Sequence, residues 1–84
     1  MDFTTNRTLV RITKEVHEEL KSATKKFGAF NSPHEGYAII KEEVDELWDA
    51  VKDKNLGYGD QRKECIQIAA MALRYILDVC EPNG

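Results

Sequence analysis

The residues with chemical potential in this chain fall in one acidic run, Glu42-Glu43-Val44-Asp45-Glu46, and a second group further along, Glu64 and Gln67. Glu43 and Glu46 are three positions apart, so on a helix their carboxylates share a side and can converge. On a helical wheel Glu43 falls about 40° from Leu47 and about 60° from Ile40, at the edge of an apolar stripe. A carboxylate at a core boundary is costly unless it is paired, hydrogen-bonded or bound to a metal. Glu35, Glu42, Asp45, Asp49 and Asp53 lie away from that stripe and read as solvated surface. If Glu64 and Gln67 faced Glu43 and Glu46 across a pair of helices, the gathered carboxylates would repel one another without a cation between them. Oxygen-only ligands favour a hard ion, Mg²⁺ or alternatively Mn²⁺, which keeps waters and binds phosphates.

Three helical patterns would have to position these groups, approximately over residues 8–27, 33–53 and 60–81. The first places Leu9, Ile12, Val16, Leu20, Ala23 and Phe27 on one stripe, with Gly28 as its stop and Thr4, Thr5, Asn6 or Thr8 as its cap. In the second, Ser32-Pro33-His34-Glu35 combines an N-cap serine, a proline at the first helical position and a capping-box glutamate. That helix should bury Tyr37, Ile40, Val44, Leu47, Trp48 and Val51. A turn at Asn55, Gly57 and Gly59 follows, and Asp60 can cap the third helix, which Pro82 ends. No segment alternates like a strand, so the predicted class is all-α, a single domain over residues 1–84.

The third helix is apolar over most of its circumference. Ile66, Ala69, Ala70, Leu73, Ile76, Leu77 and Cys80 fill one face, and Ile68, Ala72, Tyr75 and Val79 fill a neighbouring one. Two other helices of an 84-residue subunit would struggle to cover both, and small domains usually need a staple. The economical solution is a homodimer or homotetramer in which a three-helix subunit completes a four-helix-type bundle. Between the apolar faces runs a narrow polar stripe, Glu64, Gln67, Met71, Arg74 and Asp78. It is either the solvent edge of a buried helix or the side that meets Glu43 and Glu46.

Composition narrows the function classes. The net charge of −3 argues against a dedicated nucleic-acid binder, which needs a surplus of Lys and Arg. The acid excess is concentrated in residues 32–59, with seven acidic and three basic groups. The polar start at Met1 predicts no signal peptide, and no apolar run approaches membrane-spanning length. Cys65 and Cys80 are fifteen positions apart on one predicted helix, about 22 Å, too far to pair. Two free thiols, read as small apolar residues, suit a reducing, cytoplasmic setting.

The motif Glu42-Glu43-x-x-Glu46, followed by an acid motif opening the next helix, resembles the MazG-like all-α NTP pyrophosphatase superfamily, with its E-E-x-x-E and E-x-x-D. The segments FNSPHEGYAIIKEEVDELWDAVK and RKECIQIAAMALRYILD look closest to the short MazG-like proteins of phage type, a similarity over residues 27–79. The resemblance implies a Mg²⁺-dependent hydrolase that cleaves a nucleoside triphosphate to a monophosphate and pyrophosphate. It matches Glu43 and Glu46 to the first ligand pair, Glu64 to the third ligand and Glu42 to the leading acid. Gln67 stands where the family has aspartate, and a neutral amide offers one oxygen and no charge. A second reading therefore stays open: a non-enzymatic helical interaction module on a MazG-like scaffold with a degraded metal site.

The remaining candidates are weaker. Arg74 could touch phosphate oxygens or pair with Asp78 at i+4. Lys14, Lys21, Lys25 and Lys26 make the first helix basic, as solvated faces commonly are. His17 and His34 are isolated and read as non-catalytic. Phe30 and Tyr58, in the turns, could stack on a base or anchor packing. Met71 reads as ordinary helix packing.

Overall fold

A computed structural model describes residues 6–83. It contains α1 (Arg7–Phe27), α2 (Pro33–Lys52) and α3 (Tyr58–Tyr75), and α3 runs on into a π-helical turn, Ile76–Cys80. No strand occurs among the described residues, and none of their helices is long and apolar enough to cross a membrane. The class is all-α.

Local chemistry accounts for most helix ends. Asn6 caps α1, its side-chain oxygen accepting from the Leu9 N–H at 2.9 Å, and Thr8 lies inside the helix. Thr4 and Thr5 lie outside the described residues. Gly28 ends α1 at φ +74°, a left-handed conformation that glycine adopts without steric cost. Ser32 accepts from the Glu35 N–H at 3.1 Å, with Pro33 at the first helical position. The Glu35 carboxylate reaches back to Asn31, accepting from its N–H and its side-chain amide at 3.3 and 3.0 Å. α3 begins two residues before the expected Asp60. Gly57 is its N-cap, and Asp60 sits in the first turn, accepting from the Gly57 N–H at 3.3 Å. Tyr58 is accordingly helical and 86% exposed.

α1 and α2 each pack on α3, which is the central element. Ala23, Phe30, Ala70 and Met71 form the buried core, with Val16, Leu20, Ile39, Ile40, Tyr75 and Val79 partly buried around them. Phe30, expected in a turn, is thus a packing anchor. Gly36 is buried beside this core because a Cβ there would stand 2.7 Å from Tyr75 Cδ2.

Of the two readings of the α3 polar stripe, the structure takes the second, in which it turns inward toward Glu43 and Glu46. Met71 and Arg74, both from the polar stripe, are buried, and Glu64, Gln67 and Asp78 are half-buried. Leu73, Ile76 and Leu77, from the expected apolar face, are exposed. α2 behaves likewise. Its inward side carries Gly36, Ile39, Ile40, Glu43, Leu47 and Ala50, whereas Tyr37, Val44, Trp48 and Val51 are exposed. The expected burial of those four is corrected, because no other described element lies over that side. Phe27 is exposed for the same reason, and Cys65 and Cys80 are free and exposed.

Candidate metal centre and groove

The inward phase of α2 and α3 creates the site. Glu43 and Glu46 come from the middle of α2, and Glu64 comes from the second turn of α3. One carboxylate oxygen from each lies within 4.8 Å of the others. Octahedral Mg²⁺ binds oxygens at about 2.0–2.1 Å, so its ligand oxygens stand about 3–4 Å apart, and a small side-chain rotation would close this triad on an ion. Glu43 Oε2 and Glu64 Oε2 are cut off from solvent and, with all three carboxylates ionised, no donor reaches either; only a proton held by Glu43 itself would bond it to Glu64 or Glu46. Buried acceptors of this kind are costly unless something satisfies them.

The electrostatics follow from that geometry. Burial pushes the Glu43 carboxyl up from 4.5 to about 7, helped by the negative charge of Glu46 and the proximity of Glu64. Near neutral pH the triad therefore holds a proton for part of the time, as crowded carboxylates do. Glu46 is exposed and Glu64 half-buried, so the cluster opens to solvent on one side.

Glu43 also lines a groove of about 650 Å³ between the three helices. Its α1 wall carries Glu19, Ser22, Lys26 and Phe27, its α2 wall Glu35, Ile39, Glu42 and Glu43, and its α3 wall Gln67, Met71 and Arg74. Gln67 and Glu42 thus face the same groove as Glu43. Glu42 is exposed and stands outside the triad. Asp45 is drawn to Lys41, whose ammonium donates to it at 3.0 Å.

Arg74 lies at the other end of the groove. It is 3% exposed, and it does not pair with Asp78. Its guanidinium donates to the Gly28 carbonyl and, at 3.5 Å, to the Met71 sulfur, and it stacks 4.2 Å from the Phe30 ring centroid. Asp78 instead accepts from the Phe30 N–H at 3.0 Å. Both side chains thereby hold the α1–α2 connection against the end of α3. The phase of Arg74 with Glu64, Gln67 and Met71 was the available signal that it faces inward.

A second depression, between α1 and α3, mixes Arg11, Lys14, Arg62 and Lys63 with Glu15, Glu18 and Glu19, and Arg62 donates to Glu15 across it. A third, apolar one is lined by Leu9, Val10, Val16 and Leu73. His17 lies beside the apolar one, and His34 is exposed in the first turn of α2; neither belongs to the acid triad. Compared with known proteins, the chain matches no family, no curated protein and no solved structure.

Proposed function

We propose that this chain is a divalent-cation-dependent nucleoside triphosphate pyrophosphohydrolase of MazG-like type, assembled as a homodimer or homotetramer. The observation that carries the reading is the convergence of Glu43, Glu46 and Glu64, with two buried unpartnered carboxylate oxygens, beside a groove. The donor set fits Mg²⁺ or Mn²⁺, because it is all oxygen, carries several negative charges and is open on one side. Glu43, Glu46 and Glu64 would hold the ion, with Gln67 offering an amide oxygen from the adjoining wall. When bound, the ion neutralises phosphate charge and lowers the pKa of a water.

The chain's own groups supply the rest. Glu43 releases the proton it shares in the metal-free triad, so loading is favoured as pH rises. Glu42, exposed on the groove wall, is the spare carboxylate able to accept the proton of the attacking water. That water's oxygen bonds to the α-phosphorus, and the bond from that phosphorus to the bridging oxygen of pyrophosphate breaks. Gln67 brings the ion an oxygen without the charge of an aspartate, and its amide N–H groups can donate to phosphate oxygens.

Assembly is supported by surface that a finished subunit would not leave open. The accessible surface is 6470 Å² for 9.6 kDa, about 1,400 Å² above the ~5,100 Å² of a compact monomer of that mass. A standard interface buries about 800 Å² per partner. The radius of gyration of 14.1 Å likewise exceeds the ~12 Å of a compact 84-residue fold. A second copy would cover Trp48, Val51, Leu73, Ile76 and Leu77. The free thiols of Cys65 and Cys80 suit the reducing cytoplasm.

Gln67 favours the rival, an interaction module without catalysis. Pyrophosphate release from a panel of nucleoside triphosphates, with and without Mg²⁺, separates the two. Release that requires Mg²⁺ and disappears in Glu64→Gln supports the enzyme. No release from any triphosphate, with the protein folded and loaded with Mg²⁺, leaves the interaction module.

A further inference from the structure

We propose that the Arg74 guanidinium, backed by the Lys26 ammonium, forms an oxyanion subsite at the α1–α2 loop end of the groove, one that takes a phosphate group. The identity of the anion as a phosphate rests on the phosphohydrolase reading; the existence of an anion subsite does not.

Arginine cannot discharge itself by losing a proton, and buried arginines normally face a carboxylate. Arg74 is 3% exposed, yet among the described residues it has no ion pair. Its surroundings supply a carbonyl, a sulfur and a ring face. The C-terminal dipole of α1, where Gly28 lies, offsets about half a charge. That dipole is no full counter-charge, no described carboxylate lies within ion-pair distance, and the Nε–H is buried with no acceptor. For packing alone, an apolar side chain of similar volume would serve as well or better.

Arg74 and Lys26 both line the groove, so the side chain that carries the unsatisfied donor borders an open cleft rather than a sealed core. A guanidinium fork matches phosphate geometry. The other walls carry Glu19, Glu35, Glu42 and Glu43, which repel a bare anion. An anion that brings a divalent cation toward Glu43 meets opposite charge at both ends, as a metal-bound polyphosphate does.

The test is a titration of the ¹⁵N-labelled protein with inorganic pyrophosphate, in chelator and again in Mg²⁺, following the Arg74 Nε–H resonance. The expected result is a saturable shift of that resonance, with affinity at least tenfold higher in Mg²⁺. Arg74→Met should lose at least tenfold in pyrophosphate affinity while keeping its response to Mg²⁺ alone. The resonance measurement needs no variant, so a poorly folding mutant does not weaken the test. An unmoved Nε–H under saturating pyrophosphate overturns the subsite, as does unchanged affinity in Arg74→Met. A shift that follows protein dilution rather than pyrophosphate also overturns it, since the counterion would then belong to a second copy. If Mg²⁺ leaves Glu43, Glu46 and Glu64 unperturbed while pyrophosphate still moves the Nε–H, the subsite stands and the metal reading falls.

Discussion

Replacing Glu43 by Gln should stabilise the metal-free protein at pH 8 and remove its response to Mg²⁺. The folded-state pKa is raised from 4.5 to about 7, so the native protein holds this proton more tightly than the unfolded chain does. The stability this group contributes is therefore fully present below about pH 4.5 and is lost as pH climbs through about 7. A shift of this size corresponds to about 3 kcal/mol at 1.36 kcal/mol per unit. The triad is partly solvated, so screening reduces that to about 1–2 kcal/mol. Glutamine keeps the volume and hydrogen-bonding capacity but has no charge to desolvate. For a chain of this size, about 1–2 kcal/mol is a rise of roughly 5–15 °C in Tm. Melts of parent and variant at pH 5 and pH 8 in chelator measure it. The parent should lose stability between the two pH values, and the variant should lose correspondingly less. Added Mg²⁺ should then raise the parent's Tm at pH 8, since a ligand of the folded state alone stabilises it, and leave the variant unmoved. A Glu43→Gln protein that is less stable than the parent at pH 8, or that keeps the parent's pH slope, refutes the reasoning.

Gln67→Asp should bind Mg²⁺ about tenfold more tightly, because it adds a charged oxygen beside Glu43, and should be about 1 kcal/mol less stable in chelator, where like charges repel; identical Mg²⁺ titrations of parent and variant would show that position 67 lies beyond reach of the ion. If the proposed assembly buries Leu77, which is 53% exposed in one chain, Leu77→Glu should convert it to a poorly folded monomer by light scattering, because a charge in such an interface costs several kcal/mol. An unchanged mass and Tm would remove that face from the interface. Gly36→Ala should cost about 1–2 kcal/mol despite alanine's better helix propensity, because its Cβ meets the Tyr75 ring at 2.7 Å, and a rise in Tm would mean that the ring moves freely aside.

Much of this architecture could be read in the residues. The i+3 spacing of Glu43 and Glu46 and the placement of Glu43 beside Ile40 and Leu47 depend only on helical period, which is why the carboxylates could be put at the edge of the core. Ser32-Pro33 fixes the start of α2 by local chemistry, independent of tertiary context. The facing of α3 was harder, because a helix with apolar residues around most of its girth has no unique inward side. The shared phase of Glu64, Gln67, Met71 and Arg74 shows that they turn the same way, and contact with α1 and α2 decides that this way is inward, with Leu73 and Leu77 turned out. Trp48 and Tyr37 show the same ambiguity, since hydrophobicity reports that a side chain wants cover without saying which chain provides it. Arg74 escaped for a different reason. Its partner Gly28 O is a backbone atom 46 positions away, and backbone acceptors leave no trace in residue type. The π-helical turn at Ile76–Cys80 likewise has no proline, glycine or capping signature to announce it.

The two attachments from the end of α3 to the α1–α2 connection have a bearing on how the chain matures. Arg74 reaches Gly28 across 46 positions and Asp78 reaches Phe30 across 48. α1 and α2 can coil early, because their hydrogen bonds are local and form fast. The loop between them is tied to α2 through Asn31 and Ser32, but Gly28 O and the Phe30 N–H gain their α3 partners only when the last turns of that helix have been made. During synthesis the three acids of the triad therefore exist before the groove beside them does. A nascent chain halted just past Met71 would carry Glu43, Glu46 and Glu64 yet lack both clasps, so the groove closes only after translation has passed Asp78.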